Sequence, residues 1–397
     1  FFASTANSLL FDGGVEFSAT DLHTSPLLTV NIPVGLSFRS NPGEIKVSGQ
    51  GSGIAYERIK ETPRPRVDSS VTGLEVKEGK TLAFVGGNVS IEGGVLRAPA
   101  GRIEIGSVGG NSRVNLVPVT EGWKLGYEGV PSFFDIQMSG KSFVSATGVG
   151  GGFIALKGKL VNLTDKSILI ADTLGDRNGG EISIQGDSII LNETDASNNT
   201  FGSGNAGKIK LVANNSMRFE NLGGVGNHTS AAGKAGEITL EANSILIRNQ
   251  SGAGSNSYKD ATGDAGQINI KTNSLIVEDQ SGFGTDSYGQ GNAGQINIGE
   301  PNTKVGDIVF RDSSGMGSSA KGEGNAGQIN INADSLQIEK SGFSTDTESK
   351  GDAGEININV RDMVMNNNSG ISSKTQPKSE GNAGQINITG DSLLLEN

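Results

Sequence analysis

One phrase fills the second half of this chain and restricts what it can fold into. Gly-(Asn/Asp)-Ala-Gly-x-Ile-x-Ile returns from Gly204-Asn205-Ala206-Gly207-Lys208-Ile209 to Gly381-Asn382-Ala383-Gly384-Gln385-Ile386. With the last glycine of the phrase as anchor, and looser early copies included, the anchors are Gly152, Gly180, Gly207, Gly236, Gly266, Gly294, Gly327, Gly354 and Gly384. A fixed period of about 20–50 residues marks a solenoid, propeller or array, because a single repeat cannot bury a core by itself and must borrow one from its neighbours.

Each repeat of roughly 27–30 residues holds three short apolar runs. The first, at anchor +2 and +4, includes Ile182/Ile184, Ile238/Leu240, Ile296/Ile298 and Ile356/Ile358, with Gln, Asn, Glu, Lys, Ser or Thr between. Period two with one apolar face is a half-buried strand. The second run, at +9 and +11, includes Ile189/Leu191, Ile245/Ile247 and Leu336/Ile338. Met217/Phe219 come one residue late, and Ile308/Phe310 five late, which places an insertion over residues 299–304. The third run is one apolar residue in a Ser/Gly frame, such as Val225, Ala253, Phe283, Phe343 or Ile371. The pattern predicts an all-β fold: a right-handed parallel β-helix with about three strands per coil. Helical pairs are excluded by the Gly, Asn and β-branched content, and a propeller blade needs four strands in about 40 residues. Nine coils about 4.8 Å apart give a rod on the order of 40 Å long.

Glycine supplies 61 of 397 residues, about twice its usual share of roughly 7%. The expected use is at corners, where Gly permits positive φ and Asn tolerates the left-handed region. Asn178, Asn205, Asp264, Asn292, Asn325, Asp352 and Asn382 each precede their anchor by two residues. In register they predict a ladder of side-chain amides bonded coil to coil, broken at Lys234.

The net charge of −11 and the lack of a basic stripe speak against nucleic acid. There is no Cys, which excludes disulfides and thiolate metal sites. No apolar run approaches the roughly 20 residues that span a bilayer as a helix. Phe1 to Thr5 reads as mid-domain and Leu395-Glu396-Asn397 as mid-repeat, so the sequence is expected to be a piece of a longer protein.

Residues 1–150 are patterned differently. Phe2-Ala3-Ser4-Thr5-Ala6, the stretch from Phe11 to Thr20, Pro33-Val34-Gly35-Leu36 with Asn41-Pro42-Gly43, and the block from Gly79 to Gly106 stand out. Gly43 with Ile45 and Val47 reads as a first coil, Gly101 with Ile103 and Ile105 repeats the anchor geometry, and residues 62–66 read as a linker. In these motifs the chain resembles the filamentous-haemagglutinin-like exoproteins of two-partner secretion systems, in their cyanobacterial form. The resemblance implies a secretion domain recognised by an outer-membrane β-barrel transporter, followed by a β-helical shaft. The family's Asn-Pro-Asn-Gly/Leu motif would lie just before Phe1, so no residue here is assigned to transporter contact. The expected division is 1–150, the C-terminal part of the secretion domain with irregular coils, and 151–397, a regular shaft.

Motifs that suggest chemistry are better read as corners and loops. Gly79-Lys80-Thr81 lacks the upstream Gly of a phosphate loop, since position 74 is Leu74, and Gly148-Val149-Gly150-Gly151-Gly152 is followed by Phe153 instead of the final Gly of a dinucleotide fingerprint. His23 and His228 have no zinc-spaced partner and read as solvated loop residues. Asp286 and Asp346 share an offset from Phe283 and Phe343 two coils apart; they could pair as in an inverting glycosidase, but read better as echoes of the repeat. Arg58-Ile59-Lys60 resembles an Arg-x-Lys of polygalacturonases without the accompanying His and Asp motifs. No Ca²⁺-roll nonapeptide occurs. No catalytic, cofactor-binding or metal residue is assigned and no cofactor is expected. The expectation is a non-enzymatic, secreted, cell-surface adhesin, a monomeric rod that meets an unknown receptor or glycan. The alternatives are a β-helical polysaccharide lyase or hydrolase, or the shaft of a contact-dependent inhibition toxin.

Overall fold

The structure, a computed structural model, describes residues 1–20, 32–54, 71–120, 122–300, 304–377 and 379–396. Its organising element is a row of isoleucines. Ile182, Ile209, Ile238, Ile268, Ile296, Ile329, Ile356 and Ile386 sit directly over one another in parallel register. All but the last are buried, and the residues between them point outward. The second run stacks likewise, through Ile189, Met217, Ile245, Leu275, Ile308, Leu336, Met363 and Leu393. The third stacks Ala196, Val225, Ala253, Phe283, Met316, Phe343 and Ile371 in three-residue strands. Together they form one continuous core along a parallel β-solenoid. Each buried Ile or Leu contributes roughly 1.5–3 kcal/mol by its removal from water.

In most coils from Glu181 on, the first and second runs form one bent strand, as in Glu181–Asn192, Lys208–Glu220 and Glu355–Asn366. At the bend a small or β-branched residue faces inward, for example Ala213, Ala242, Val305, Ala333 and Val360, and the in-out alternation then slips by one. The late Met217 is absorbed there by a register shift between Ala213 and Ser216. The late Ile308 is absorbed between Gln295–Ile298 and Val305–Phe310. A column of single bridges from Gly148 through Thr173, Thr200 and Thr229 to Thr375 completes each coil. A coil is thus a bent strand, a short strand and a bridge.

The anchor glycines do not serve positive φ. Among the described residues eight glycines have positive φ, and no anchor is one of them. What requires glycine is close approach. A Cβ on Gly294, Gly327, Gly354 or Gly384 would lie 1.8–1.9 Å from the carbonyl oxygen of the preceding anchor. The left-handed residues sit instead between the second and third runs, in pairs such as Asn221-Leu222, Asn249-Gln250, Asp279-Gln280 and Asp312-Ser313. Asn or Asp leads each of these pairs, as suits residues whose short polar side chains stabilise that region.

The solenoid extends back beyond Gly152. Thr81–Gly86, Val89–Glu92 and Val95–Arg97 form one earlier coil, and Arg102–Ser107 with Ile136–Ser139 and Phe143–Ser145 form the next. Ile45 and Val47 stack on Val89 and Ile91, in the second run and not the first, where Phe2–Ser4 lies instead. Gly43 is therefore not an anchor. The excursion that follows Ser107 ends by Ile136, because Ile136 and Phe143 already stand in coil register. His23, Arg58-Ile59-Lys60 and the segment 62–66 lie outside the described residues.

Two glycine classes predict opposite results. Gly327→Ala should lower stability by about 3 kcal/mol or more, through a clash that only backbone displacement relieves. At Gly284 the nearest atom to an added Cβ is 3.4 Å away, and Ser344 and Ser372 hold the same column. Gly284→Ser should therefore stay within about 0.5 kcal/mol. Denaturant unfolding followed by circular dichroism separates the two; equal losses would remove close approach as the reason for the anchor.

Candidate functional site

Two excursions leave the early coils and meet outside them. Ser8–Leu10, Glu16–Ser18 and Gly35–Phe38 come from the first, Ser112–Val119 and Gly122–Gly129 from the second. They pair into one antiparallel five-stranded sheet. Leu36, Phe38, Val114, Leu116 and Leu125 of this plate form a second core with Val85 and Val108, on the outer side of the solenoid.

Under the plate lies a buried ion pair. Arg102 Nη1 donates to Glu104 Oε1 at 3.0 Å, and the guanidinium carbon stands 4.2 Å over the Phe153 ring. The Leu125 N–H also reaches Glu104. Burial pushes the Glu104 carboxyl up to about 7, against the opposing pull of Arg102. Burial, then Glu104, push the Tyr127 phenol well above its ordinary range. That phenol rests where a Cβ on Gly106 would be.

Residues 1–156 match the family model of the TPS secretion domain. The N-terminal part thus carries a two-partner secretion domain, which together with the β-solenoid fits a filamentous-haemagglutinin-like exoprotein. No curated protein and no solved structure matches it. The secretion domain thus comprises the plate together with the coils beneath it. It implies export through a partner transporter of the outer membrane, and the exoprotein is secreted. The plate arises because the outward face of the early coils carries Val85, Arg102, Glu104 and Val108 instead of a solvated polar row.

In the shaft, residues that suggested chemistry are employed in ladders. The Oδ1 atoms of Asn178, Asn205, Asp264, Asn292, Asn325 and Asp352 accept backbone N–H groups of the following coil at 2.7–3.0 Å, from Asn205, Lys234, Asn292, Asn325, Asp352 and Asn382 respectively. The ladder is mainly side chain to backbone; a side-chain amide also donates along the row at Asn292 to Asp264 and at Asn382 to Asp352, and Asp and Asn alternate freely because each offers an oxygen. Lys234 continues the row as a donor, and its Nζ pairs with Asp264 Oδ2 at 2.9 Å.

A second ladder was not visible as a motif. The side chains of Thr147, Asp172, Asn199, His228, Asn256, Asp286, Ser319 and Asp346 each accept the backbone N–H of their counterpart one coil on. His228 is therefore no solvated loop residue: it is buried, and its Nδ1 accepts from Asn256 N at 3.0 Å. Asp286 and Asp346 occupy the same ladder with Ser319 between them. The signal was a single position per coil held by any acceptor, which residue identity conceals.

The Gly-x-Gly strands floor a groove of ≈ 700 Å³ beside His228, Tyr258, Tyr288 and Lys321. His228 and Tyr258 lie 5.0 Å apart, Tyr258 and Tyr288 6.2 Å apart and nearly parallel, and Lys321 Nζ stands 4.8 Å over Tyr288. Tyr258 and Tyr288 stack along the rod, with His228 tilted at 55° against one end and Lys321 over the other, so the row acts as a strut. Among the described residues no group of three or more His, Asp or Glu is placed to hold a metal ion.

Two results should follow. His228→Ala strands the Asn256 N–H and should cost about 1–3 kcal/mol, with His228→Asn recovering most of it; equal losses would mean that ring packing, not the acceptor, matters. The folded secretion domain holds the Glu104 proton more tightly than the unfolded chain, whose carboxyl titrates near 4.5. The proton-linked stability is thus full below about pH 4.5 and is lost as pH rises through about 7, a fall of up to about 3 kcal/mol. Glu104→Gln should flatten that part of a urea stability profile between pH 4.5 and 8; a mutant profile parallel to the parent's would refute the assignment.

Proposed function

We propose that this exoprotein is a non-enzymatic surface adhesin, a monomeric rod that stays associated with the cell surface and meets a glycan or other receptor. Residues 1–150 would belong to the secretion unit and 151–397 to the shaft that holds contact faces away from the cell. The observation that carries this reading is the employment of the shaft's conspicuous polar residues in coil-to-coil ladders, beside long polar faces repeated from coil to coil. Repetition favours many weak contacts over one strong one, and avidity then supplies the hold. Asp286 and Asp346, the one carboxylate pair that suggested hydrolysis, each accept a backbone N–H of the next coil.

Removal of one internal coil, residues 236–265, should shorten the rod, leave export through the partner transporter intact, and leave adhesion of coated beads to a polysaccharide-bearing surface little changed. Loss of export would refute modular stacking. Bead adhesion no better than that of an unrelated acidic protein would refute the adhesin reading, and release of reducing ends from polysaccharide would replace it with an enzyme.

A further inference from the structure

The outward face of the first run carries a third ladder, and this one faces solvent along a groove of ≈ 1050 Å³. Asn269, Asn297, Asn330, Asn357 and Asn387 stand in register. Each Nδ2 from Asn297 on donates to the Oδ1 of the Asn one coil before, at 2.9–3.0 Å. A carboxamide has two N–H donors and two acceptor lone pairs. The ladder uses one of each, so every interior rung retains one donor and one acceptor. A glutamine row beside it is bonded in the opposite direction, Gln295 Nε2 donating to Gln328 Oε1 one coil on at 3.2 Å. The insertion closes one side: Asn332 Nδ2 donates to the Glu300 carbonyl, and Lys271 pairs with the Glu300 carboxylate.

We propose that this groove binds a neutral, linear polysaccharide, each interior rung (Asn297, Asn330 and Asn357) presenting an amide N–H and C=O to sugar hydroxyls. The inference rests on the adhesin reading and names its site. Five rungs about 4.8 Å apart span on the order of 20 Å, a stretch of several sugar units whose own repeat is of similar length. Charge selects the ligand. From Gln295 to Thr389 the lining has no Lys or Arg; at the other end Lys208 pairs with Glu237 at 3.0 Å and Lys271 with Glu300, Lys210 stands in a lining that also holds Glu181 and Glu241, and the chain carries a net charge of −11. An anionic polysaccharide gains nothing there. No aromatic ring lines the groove, so recognition is by hydrogen bonds. Each is weak against water, but the ladder fixes the amides beforehand, which reduces the entropy lost on binding.

The test is affinity electrophoresis of the whole chain through gels containing a soluble β-1,4-glucan, a β-1,3-glucan or alginate. The variant N297T/N330T/N357T keeps the strand, because Thr239 holds this register in an earlier coil; N330R serves as a second variant, and melting curves verify both. The parent should be retarded by a neutral glucan and not by alginate. Both variants should bind about tenfold more weakly or worse, with K321A on the opposite groove unaffected. Folded variants that bind as the parent does, or a parent that prefers alginate, would overturn the proposal. The same proteins on beads separate the two readings. Equal adhesion of parent and variants ends the groove assignment and leaves the adhesin standing, whereas a parent that adheres to nothing ends both.

Discussion

The structure depends on a carbonyl oxygen occupying the space where an anchor residue's Cβ would be. At each anchor glycine the carbonyl oxygen of the one before it stands closer than any Cβ would permit. This contact lets the corner stack flush, and flush corners let the isoleucines stand over one another without offset. Register, core continuity and ladder spacing all follow, since every side chain that bonds coil to coil relies on the same repeat distance.

Hydrogen-bond accounting then governs which polar residues appear where. Corners lie outside the strands, so their N–H groups need an acceptor other than a sheet partner. Two columns of Asn, Asp, Ser, Thr and one His supply it. The acceptor matters more than the residue, so composition drifts within a column while geometry does not. A sequence of this kind accumulates acidic and amide residues that look like chemistry and act as connectors.

The strands of the shaft were legible in the sequence because period two and the anchor spacing are local. The reason for glycine at the anchor was not, since close approach across coils leaves the same mark as positive φ. The plate of the secretion domain was also hidden. Its strands lie in segments separated by more than 70 residues, and antiparallel pairing of such segments has no periodic trace. Ile45 and Val47 were assigned to the wrong run for a related reason: one coil there is split by an excursion of some forty residues, so offset from a glycine no longer reports position. His228 was misread because its role belongs to a column, and a column is visible only once register is known. The Asn row of the first run was legible as outward polarity, but not as a bonded ladder.

Each ladder has a direction. In the corner row, the His228 row and the outward Asn row the earlier coil supplies the side-chain acceptor and the later coil the N–H, whereas in the glutamine row and a serine row from Ser251 to Ser369 the earlier coil donates. The rod therefore has a chemical polarity like that of a filament with distinct ends. A coil facing the C-terminal direction presents waiting acceptors in the first three rows and donors in the other two, and one facing the N-terminal direction presents the reverse. Addition of a coil is thus not symmetric with respect to the two ends, and a segment suited to cover one end is by its hydrogen-bonding pattern unsuited to the other.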